Sequence, residues 1–192
     1  MRCLWLLCLS VSLCAQTVEI SHLGTGTVNL AGQWKFHPGD NPHWADPNFD
    51  DSGWKLVKVP LSLQKQGYPN FSGYGWYRLT LHRYPRTAAP DLRLAVSAVS
   101  HVSAFFANGV QFGQFGEFPP EARFFEWRPM SFPISGSRWQ DGRLLLAVRI
   151  WVDPKLAVLG DSGFDDSLRV DLPPPTIGDT EPCERMQTRA GT

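Results

Sequence analysis

The feature that most constrains the fold is a series of short apolar or aromatic runs that extends over residues 28–152. Gly, Pro, Asn and Asp separate nearly every run from the next, and no long stretch has the 3.6-residue period of an amphipathic helix. Within residues 77–82, apolar and polar side chains alternate, as they do in a strand with one buried face. The pattern predicts an all-β chain.

Eight strands are predicted, at residues 28–36, 55–59, 76–82, 92–98, 102–107, 110–115, 130–134 and 143–152. Asn108-Gly109 separates two of them, and because a type I′ turn needs two residues at positive φ, this dipeptide indicates a tight hairpin. Two sheets packed face to face would bury the apolar side of each strand. With 192 residues, we expect one such sandwich with a single core.

The two ends of the chain are expected to lie outside this domain. Residues 1–15 read as a signal peptide, because a positive start precedes an apolar run that is too short to cross roughly 30 Å of hydrocarbon. Residues 16–27 are then a linker, residues 28–172 the sandwich, and residues 173–192 a disordered polar tail that begins with three prolines. The mature chain is therefore predicted to be exported, periplasmic or extracellular, without a membrane span.

Cysteine usage agrees with this division. Cys3, Cys8 and Cys14 lie within or at the end of the apolar run, so cleavage near Ala15 leaves Cys183 without an intramolecular disulfide partner. Processing as a lipoprotein at Cys14 is the alternative, but Leu13 is bulky where that cleavage requires a small residue.

The charge balance and the spacing of potential catalytic residues argue against several classes of function. Lys plus Arg equals Asp plus Glu at 18 each, so there is no overall attraction to nucleic acid, and no nucleic-acid partner is expected. The five histidines show no metal-ligand spacing, and there is no Gly-x-Ser-x-Gly motif. Most acidic residues fall in turns and loops. We predict no cofactor, no metal centre and no catalytic activity.

An acidic segment leaves one alternative open. It contains oxygen donors of the kind that calcium takes, but in a spacing that matches no EF-hand loop. The same residue types favour turn capping, and we expect a short helical turn at 46–54 that its aromatic side chains hold against the core. The donors are Asp40, Asn41, Asp46, Asp50 and Asp51.

Aromatic residues supply the candidate binding site, since the chain contains eight Trp, twelve Phe and four Tyr. Exposed rings stack on the apolar faces of sugars while polar side chains bind the hydroxyl groups. The alternative is that the rings pack loops onto the sandwich, which is our interpretation of Trp34, Trp54, Trp76 and Trp151. The predicted ligand-binding residues are Tyr68, Asn70, Tyr74, Glu126, Trp127 and Arg128.

Five motifs in order resemble those of a known family. They are Leu-Ala-Gly-Gln-Trp-Lys-Phe at 30–36, Phe-Asp-Asp-Ser-Gly-Trp at 49–54, Val59-Pro60, Gly-Tyr-Gly-Trp-Tyr-Arg at 73–78 and Asn108-Gly109. The set resembles the N-terminal sugar-binding, galactose-binding-like jelly-roll domain of family 2 glycoside hydrolases. It is also similar to extracytoplasmic sensor domains of bacterial membrane signalling proteins of the serine phosphatase or histidine kinase type. Residues 38–40, 67–69 and 116–120 favour the second group.

The resemblance implies an antiparallel jelly roll of eight or nine strands and three possible functions. The first is a non-catalytic ligand-recognition module, with a carbohydrate or another small molecule as ligand, or a sensor. The second is the N-terminal fragment of a family 2 glycoside hydrolase whose catalytic barrel is absent from this chain, and the third is a structural module that packs against a neighbouring domain of a longer parent protein. Leu63 stands where hydrolases of the family often have Trp, and Ser62 where some galactosidases have an Asn that contacts the substrate; Ser62 is shorter and offers no amide for such a contact.

Export leads to the first testable prediction. The secreted or periplasmic protein should lack its first 13 to 16 residues, because the apolar run ends at Ala15 and a polar break follows. Intact-mass measurement of the purified protein tests this. A protein that retains Met1, or that carries lipid on Cys14, would contradict it.

Overall fold

A computed structural model describes residues 17–19, 26–83, 91–97, 101–123, 129–157 and 168–171. This part of the chain forms two β-sheets that pack face to face. Its eleven strands are β1 (Thr17–Glu19), β2 (Thr27–Asn29), β3 (Gly32–Pro38), β4 (Lys55–Val59), β5 (Gly73–His82), β6 (Leu92–Val96), β7 (Val102–Ala107), β8 (Val110–Phe115), β9 (Met130–Ile134), β10 (Arg143–Val152) and β11 (Leu168–Asp171).

The larger sheet has the order β4-β3-β5-β10-β7-β8, and β1 lies parallel to the end of β5. The smaller sheet has the order β2-β11-β6-β9. Every pairing other than that of β1 with β5 is antiparallel. The predicted all-β, antiparallel jelly-roll sandwich is confirmed, with eleven strands where eight or nine were expected. In the described residues, no helix is long and apolar enough to cross a membrane.

Turn chemistry explains the hairpin that joins β7 and β8. Asn108 and Gly109 have φ values of 45° and 84°, the left-handed conformation that a type I′ turn requires. Both strands have the predicted bounds, Val102–Ala107 and Val110–Phe115. The hairpin prediction is therefore confirmed.

One predicted strand was wrong and two strands were not predicted, for one physical reason, which is that pairing partners decide short strands. Residues 28–36 form two strands in different sheets, and the chain crosses between them where the backbone N–H of Ala31 donates to the side chain of Asn29 at 2.8 Å. Strand β1 lies in the segment predicted to be a linker, and β11 was not predicted. Both have only three or four residues, too few for a period-two pattern to be detected.

The core between the sheets consists of the inward-facing side chains of β3, β5, β7 and β10 together with β6. Leu30, Phe36, Leu81 and Phe105 are fully buried there. As predicted, Trp34, Trp54 and Trp76 are buried, with exposed fractions of 1%, 9% and 1%. Trp151 is half-buried.

A second apolar cluster covers the other side of the larger sheet, which we call the outer face. Here the segment 40–54 crosses β5 and β10, and Trp54 packs with Ala45, Trp76 and Ala147. The helical turn lies at Pro42–Ala45 rather than at 46–54, because the side chain of Asn41 caps it by accepting from the N–H of His43 at 3.0 Å. The predicted packing of Phe49 and Trp54 against the protein is confirmed, since these rings lie 6.0 Å apart within this cluster.

Arg78 attaches this segment to the sheet. Its side chain is only 3% exposed, and its Nε donates to Oδ2 of Asp51 at 2.7 Å. The same guanidinium donates to the backbone carbonyls of Trp44, of Asp46 at 3.0 Å and of Phe49 at 3.4 Å. Asp51 is also paired with Lys35. One buried cation therefore binds four acceptors that span the segment, which is the fully hydrogen-bonded state that a buried charge requires.

The contacts of Arg78 predict a large loss of stability on its removal. The substitution Arg78→Met should lower the free energy of unfolding by about 3 kcal/mol or more, because it leaves Asp51 and three carbonyls without their donor. Urea unfolding followed by tryptophan fluorescence measures this. The matched control is Arg143→Met on the same face, an exposed arginine without an ion pair in the described residues, for which we expect a change within about 0.5 kcal/mol. Equal effects of the two substitutions would contradict the assignment.

Candidate functional site

The outer face presents two regions rich in polar side chains, at opposite ends of the paired strands β5 and β10. Their register places Arg149 opposite Trp76 near the start of β5 and Arg143 opposite His82 at its end. Six residues of strand separate the two arginines, or about 20 Å. We call the first region the arginine latch and the second the polar cleft.

The arginine latch is built around the half-buried side chain of Arg149. Its Nε donates to Oδ1 of Asp40 at 2.8 Å, and one terminal nitrogen donates to Oδ2 at 2.5 Å. The guanidinium carbon lies 4.6 Å from the ring centroid of Tyr74 and 4.3 Å from that of Phe118. These two rings are nearly parallel, with centroids 6.0 Å apart. A bidentate ion pair and two cation–π contacts thus hold the loop that carries Phe118 to the outer face.

Asp40 has a shifted pKa because of these contacts. Burial by itself raises the pKa of this carboxyl group, but the hydrogen bonds from Arg149 and from Nε1 of Trp76, at 3.1 Å, together with the charge of Arg149, outweigh burial. The net effect is a pKa below the ordinary value of 3.8. The ionised carboxylate is therefore the stable partner of the arginine.

The predicted binding residues do not share one environment, since Tyr68 packs against the core and Asn70 lies at the surface. The ring of Tyr68 packs edge-on against Phe36 at 5.0 Å and against Phe71 at 6.5 Å, and burial raises the pKa of its hydroxyl group. Tyr68 is therefore largely a core residue. Asn70 is exposed. Glu126, Trp127 and Arg128 lie outside the described residues, so their predicted role stays a prediction.

Tyr74 and Tyr68 contact different sides of the larger sheet. A Cβ atom on Gly75 would lie 2.8 Å from the rings of both Phe36 and Phe71, so position 75 faces the core, and the alternation of the strand turns Tyr74 to the outer face. Tyr68 and Tyr74 therefore lie on different sides of the larger sheet, and their predicted role in ligand binding stays a prediction. Sequence proximity in a loop did not reveal that the strand already begins at Gly73.

The acidic segment proposed as an alternative calcium site makes protein contacts instead. Asp46 and Asp50 accept from the backbone N–H groups of Asn48 at 2.8 Å and Ser52 at 3.0 Å. Asp51 pairs with Arg78 and Lys35, and Asp40 with Arg149. Within the described ranges, no three His, Cys, Asp or Glu residues come close enough to hold a metal ion. Turn capping and ion pairing account for this cluster.

The polar cleft has a volume of about 440 Å³ and lies between the segment 47–48 and the turn that precedes β10. Its floor consists of Thr80 and the buried Leu145, while Asn48, Asp141 and Arg143 are exposed at its walls. Sequence reasoning missed these residues, because they come from three separate segments. The single local signal was the dipeptide Asp141-Gly142, whose φ values of 48° and 74° form a tight turn.

The known proteins to which this chain is similar in sequence include two beta-galactosidases. No protein-family model matches the sequence. The chain is 31% identical over 94 residues to beta-galactosidase BoGH2A of Bacteroides ovatus, an alignment that covers 42% of this chain and 11% of that protein. It is 25% identical over 163 residues to a beta-galactosidase of Vibrio cholerae, which covers 67% of this chain and 15% of that protein. The chain thus spans a small part of the length of both relatives.

Solved structures of family 2 glycosidases share the fold. A glycosyl hydrolase family 2 member from Bacteroides cellulosilyticus matches 76% of this chain and 20% of its own, with a TM-score of 0.56 and 16% identity. Beta-glucuronidase 2 of Bacteroides uniformis matches 77% of this chain and 18% of its own, with a TM-score of 0.56 and 24% identity. The chain is therefore similar in sequence to beta-galactosidases and in fold to a part of family 2 glycosidases; these matches do not show a resemblance to sensor domains.

The lowered pKa of Asp40 predicts a pH dependence of stability. Because the pKa in the folded protein is below the unfolded value, the stabilisation by Asp40 is complete above about pH 5 and is lost as the pH falls through the folded pKa. The substitution Asp40→Asn should therefore cost more stability at pH 7 than at pH 3. Urea unfolding at both pH values measures the difference.

A double-mutant cycle provides the control for this prediction. In the Arg149→Gln background, the hydrogen bonds and charge that lower the pKa of Asp40 are reduced, so the cost of Asp40→Asn should change much less with pH. A cost of Asp40→Asn that is the same at pH 7 and pH 3 in the otherwise native protein would contradict the pKa assignment.

Proposed function

We propose that this chain acts as the non-catalytic, N-terminal carbohydrate-recognition domain of a family 2-type glycosidase, beside a catalytic domain that belongs to the same longer protein. The observation that carries the proposal is the pattern of similarity. Alignments to two beta-galactosidases cover up to 67% of this chain but at most 15% of the relatives. Each relative therefore has most of its length for other domains, as expected where a sandwich is one module among several.

The motifs of the resemblance have physical roles that agree with this proposal. Asp51 in the Phe-Asp-Asp-Ser-Gly-Trp motif pairs with Arg78 at the end of the Gly-Tyr-Gly-Trp-Tyr-Arg motif at 2.7 Å. Trp54 and Trp76 from the same two motifs pack in one cluster. The motifs therefore specify how the segment 40–54 is attached to the sheet. They support a shared architecture more than a shared catalytic site.

The described carboxylates support a non-catalytic role. A retaining glycosidase needs two carboxyl groups about 5 Å apart at the bond to be broken. Asp40 and Asp51 are ion-paired with arginines, and Asp46 and Asp50 cap turns. Glu117 and Glu121 approach one guanidinium, that of Arg123, on an exposed surface.

Export and ligand binding are part of the proposal. The apolar residues 3–15 favour an extracytoplasmic location, where oligosaccharides from outside the cell would be encountered. The sensor interpretation depends on the motifs at 38–40, 67–69 and 116–120 alone, whereas the relatives favour the glycosidase. A ligand of this domain is therefore expected to be a sugar, held alongside the catalytic site of the parent protein.

Activity measurement tests the non-catalytic role. The purified chain should not hydrolyse 4-nitrophenyl β-galactoside or 4-nitrophenyl β-glucuronide above the rate of buffer, because Asp40 and Asp51 are held in ion pairs and Asp46 and Asp50 cap turns. The matched control is the variant Glu117→Gln, which should be indistinguishable from the native chain. Turnover that survives repurification and disappears in this variant, or on substitution of another single carboxylate, would overturn the proposal.

A further inference from the structure

We infer that the polar cleft is a binding site for a neutral sugar, recognised through adjacent hydroxyl groups. This inference deepens the proposed function, on which it rests, by assigning the site and the class of ligand. It differs from the sequence-based prediction, since Tyr68, Asn70 and Tyr74, the three predicted binding residues that the structure describes, do not line the cleft.

Hydrogen bonds within the protein hold the walls of the cleft in place. Asn108 donates to the carbonyl of Arg138 at 2.6 Å and accepts from the N–H of Leu145 at 2.8 Å, so its side chain joins the hairpin turn to β10. Gln140 and Arg143 exchange two backbone hydrogen bonds, of 2.9 and 2.7 Å, around the turn at Asp141. These contacts fix the wall that carries Asp141 and Arg143.

The opposite wall, which carries Asn48, is fixed through hydrogen bonds that lead to the buried side chain of Arg78. Asp46 accepts from the N–H of Asn48 at 2.8 Å, and the carbonyl of Asp46 accepts from Arg78 at 3.0 Å. Asn48 is thereby presented at the cleft by a turn that is anchored to β5. Because hydrogen bonds within the protein fix both walls, binding would not need to order them, and this reduces the entropic cost of recognition.

The chemistry of the lining selects the ligand class. Arg143 is a donor, Asp141 an acceptor, and Asn48, Gln140 and Thr80 offer both functions. Neither Asp141 nor Arg143 has an ion-pair partner among the described residues. The other described side chains that line the cleft are uncharged. A polyol both donates and accepts hydrogen bonds, so it matches this set.

Other ligand classes match the cleft less well. An anionic ligand would be repelled by Asp141 and a cationic ligand by Arg143, while an apolar ligand would leave both charged groups desolvated without partners. The volume of about 440 Å³ is sufficient for one or two sugar rings. None of the described residues that line the cleft is aromatic, so hydrogen bonds that replace those to water should give an affinity of about millimolar.

Amide chemical shifts of the full chain labelled with nitrogen-15 test the site. Methyl β-galactopyranoside, added up to about 100 mM, should shift the amides of Asn48, Asn108, Arg143 and Leu145 with a Kd of about millimolar. Methyl β-glucuronide, which differs in carrying a carboxylate, should bind more weakly. Arg143→Gln should weaken binding of the galactoside about tenfold, as expected for loss of a hydrogen bond to a charged group.

Two further variants make the test specific. Asp141→Asn retains the left-handed turn, which Asn tolerates, and by removing the negative charge it should strengthen binding of the glucuronide. Lys58→Gln, on strand β4 at the edge of the larger sheet and outside the cleft, is the control and should change neither affinity. Amide spectra of each variant verify that it is folded.

The outcomes separate this inference from the proposed function. Galactoside shifts confined to residues around Asn70 and Tyr74 would overturn the assignment of the cleft while leaving carbohydrate recognition intact. Absence of any shift at 100 mM galactoside or glucuronide, where a millimolar site is nearly saturated, would overturn both. Equal affinity for the two sugars that Asp141→Asn does not alter would contradict recognition by a neutral ligand.

Discussion

The buried ion pair of Arg78 and Asp51 is the interaction on which the outer half of the structure depends. An arginine side chain that is 3% exposed must have its donors satisfied, and its partners are the carboxylate of Asp51 and three backbone carbonyls of the segment 44–49. The segment is thereby held against β5, and its aromatic residues close over Trp76. Replacement by apolar residues of similar volume can match such a pair in stability, but it would not specify the path of the segment as four directed hydrogen bonds do.

The same attachment determines where ligands can approach the outer face. Segment 40–54 covers the middle of the face. One end of the face lies at Asp40 and Arg149, and the other at Asn48 and Thr80. At the first end, Arg149 is already occupied by Asp40, Tyr74 and Phe118, so its donors and the rings serve to hold a loop. At the second end, the polar side chains of the walls remain exposed, although the backbone that carries them is fixed. The proposed binding site therefore differs from the arginine latch in the exposure of its polar side chains, more than in its aromatic rings.

Individual residues show how far local patterns extend. Asn108-Gly109 was predicted and found as a hairpin turn, because positive φ is a local requirement that few dipeptides satisfy. Residues 55–59 and 143–152 were found as strands with the predicted bounds. Tyr74 was expected to join Tyr68, yet it belongs to strand β5, and because Gly75 faces the core, Tyr74 faces the other side of the sheet. The residues of the polar cleft escaped prediction, since Asn48, Thr80 and Arg143 are far apart in sequence and none belongs to a recognisable motif.

The sequence by itself determined the fold class, the hairpin turn at Asn108-Gly109 and the burial of Trp34, Trp54 and Trp76, because alternation and turn chemistry act over a few neighbouring residues. Tertiary structure alone decided which strands of three or four residues exist, which face Tyr74 occupies and which polar side chains share a cleft. Each of these depends on contacts between residues distant in sequence: β1 on its pairing with β5, Tyr74 on the packing of Phe36 and Phe71 against Gly75, and the cleft on the anchoring of Asp46 by Arg78. Such contacts are set by the free energy of the whole packed arrangement, which no local pattern encodes.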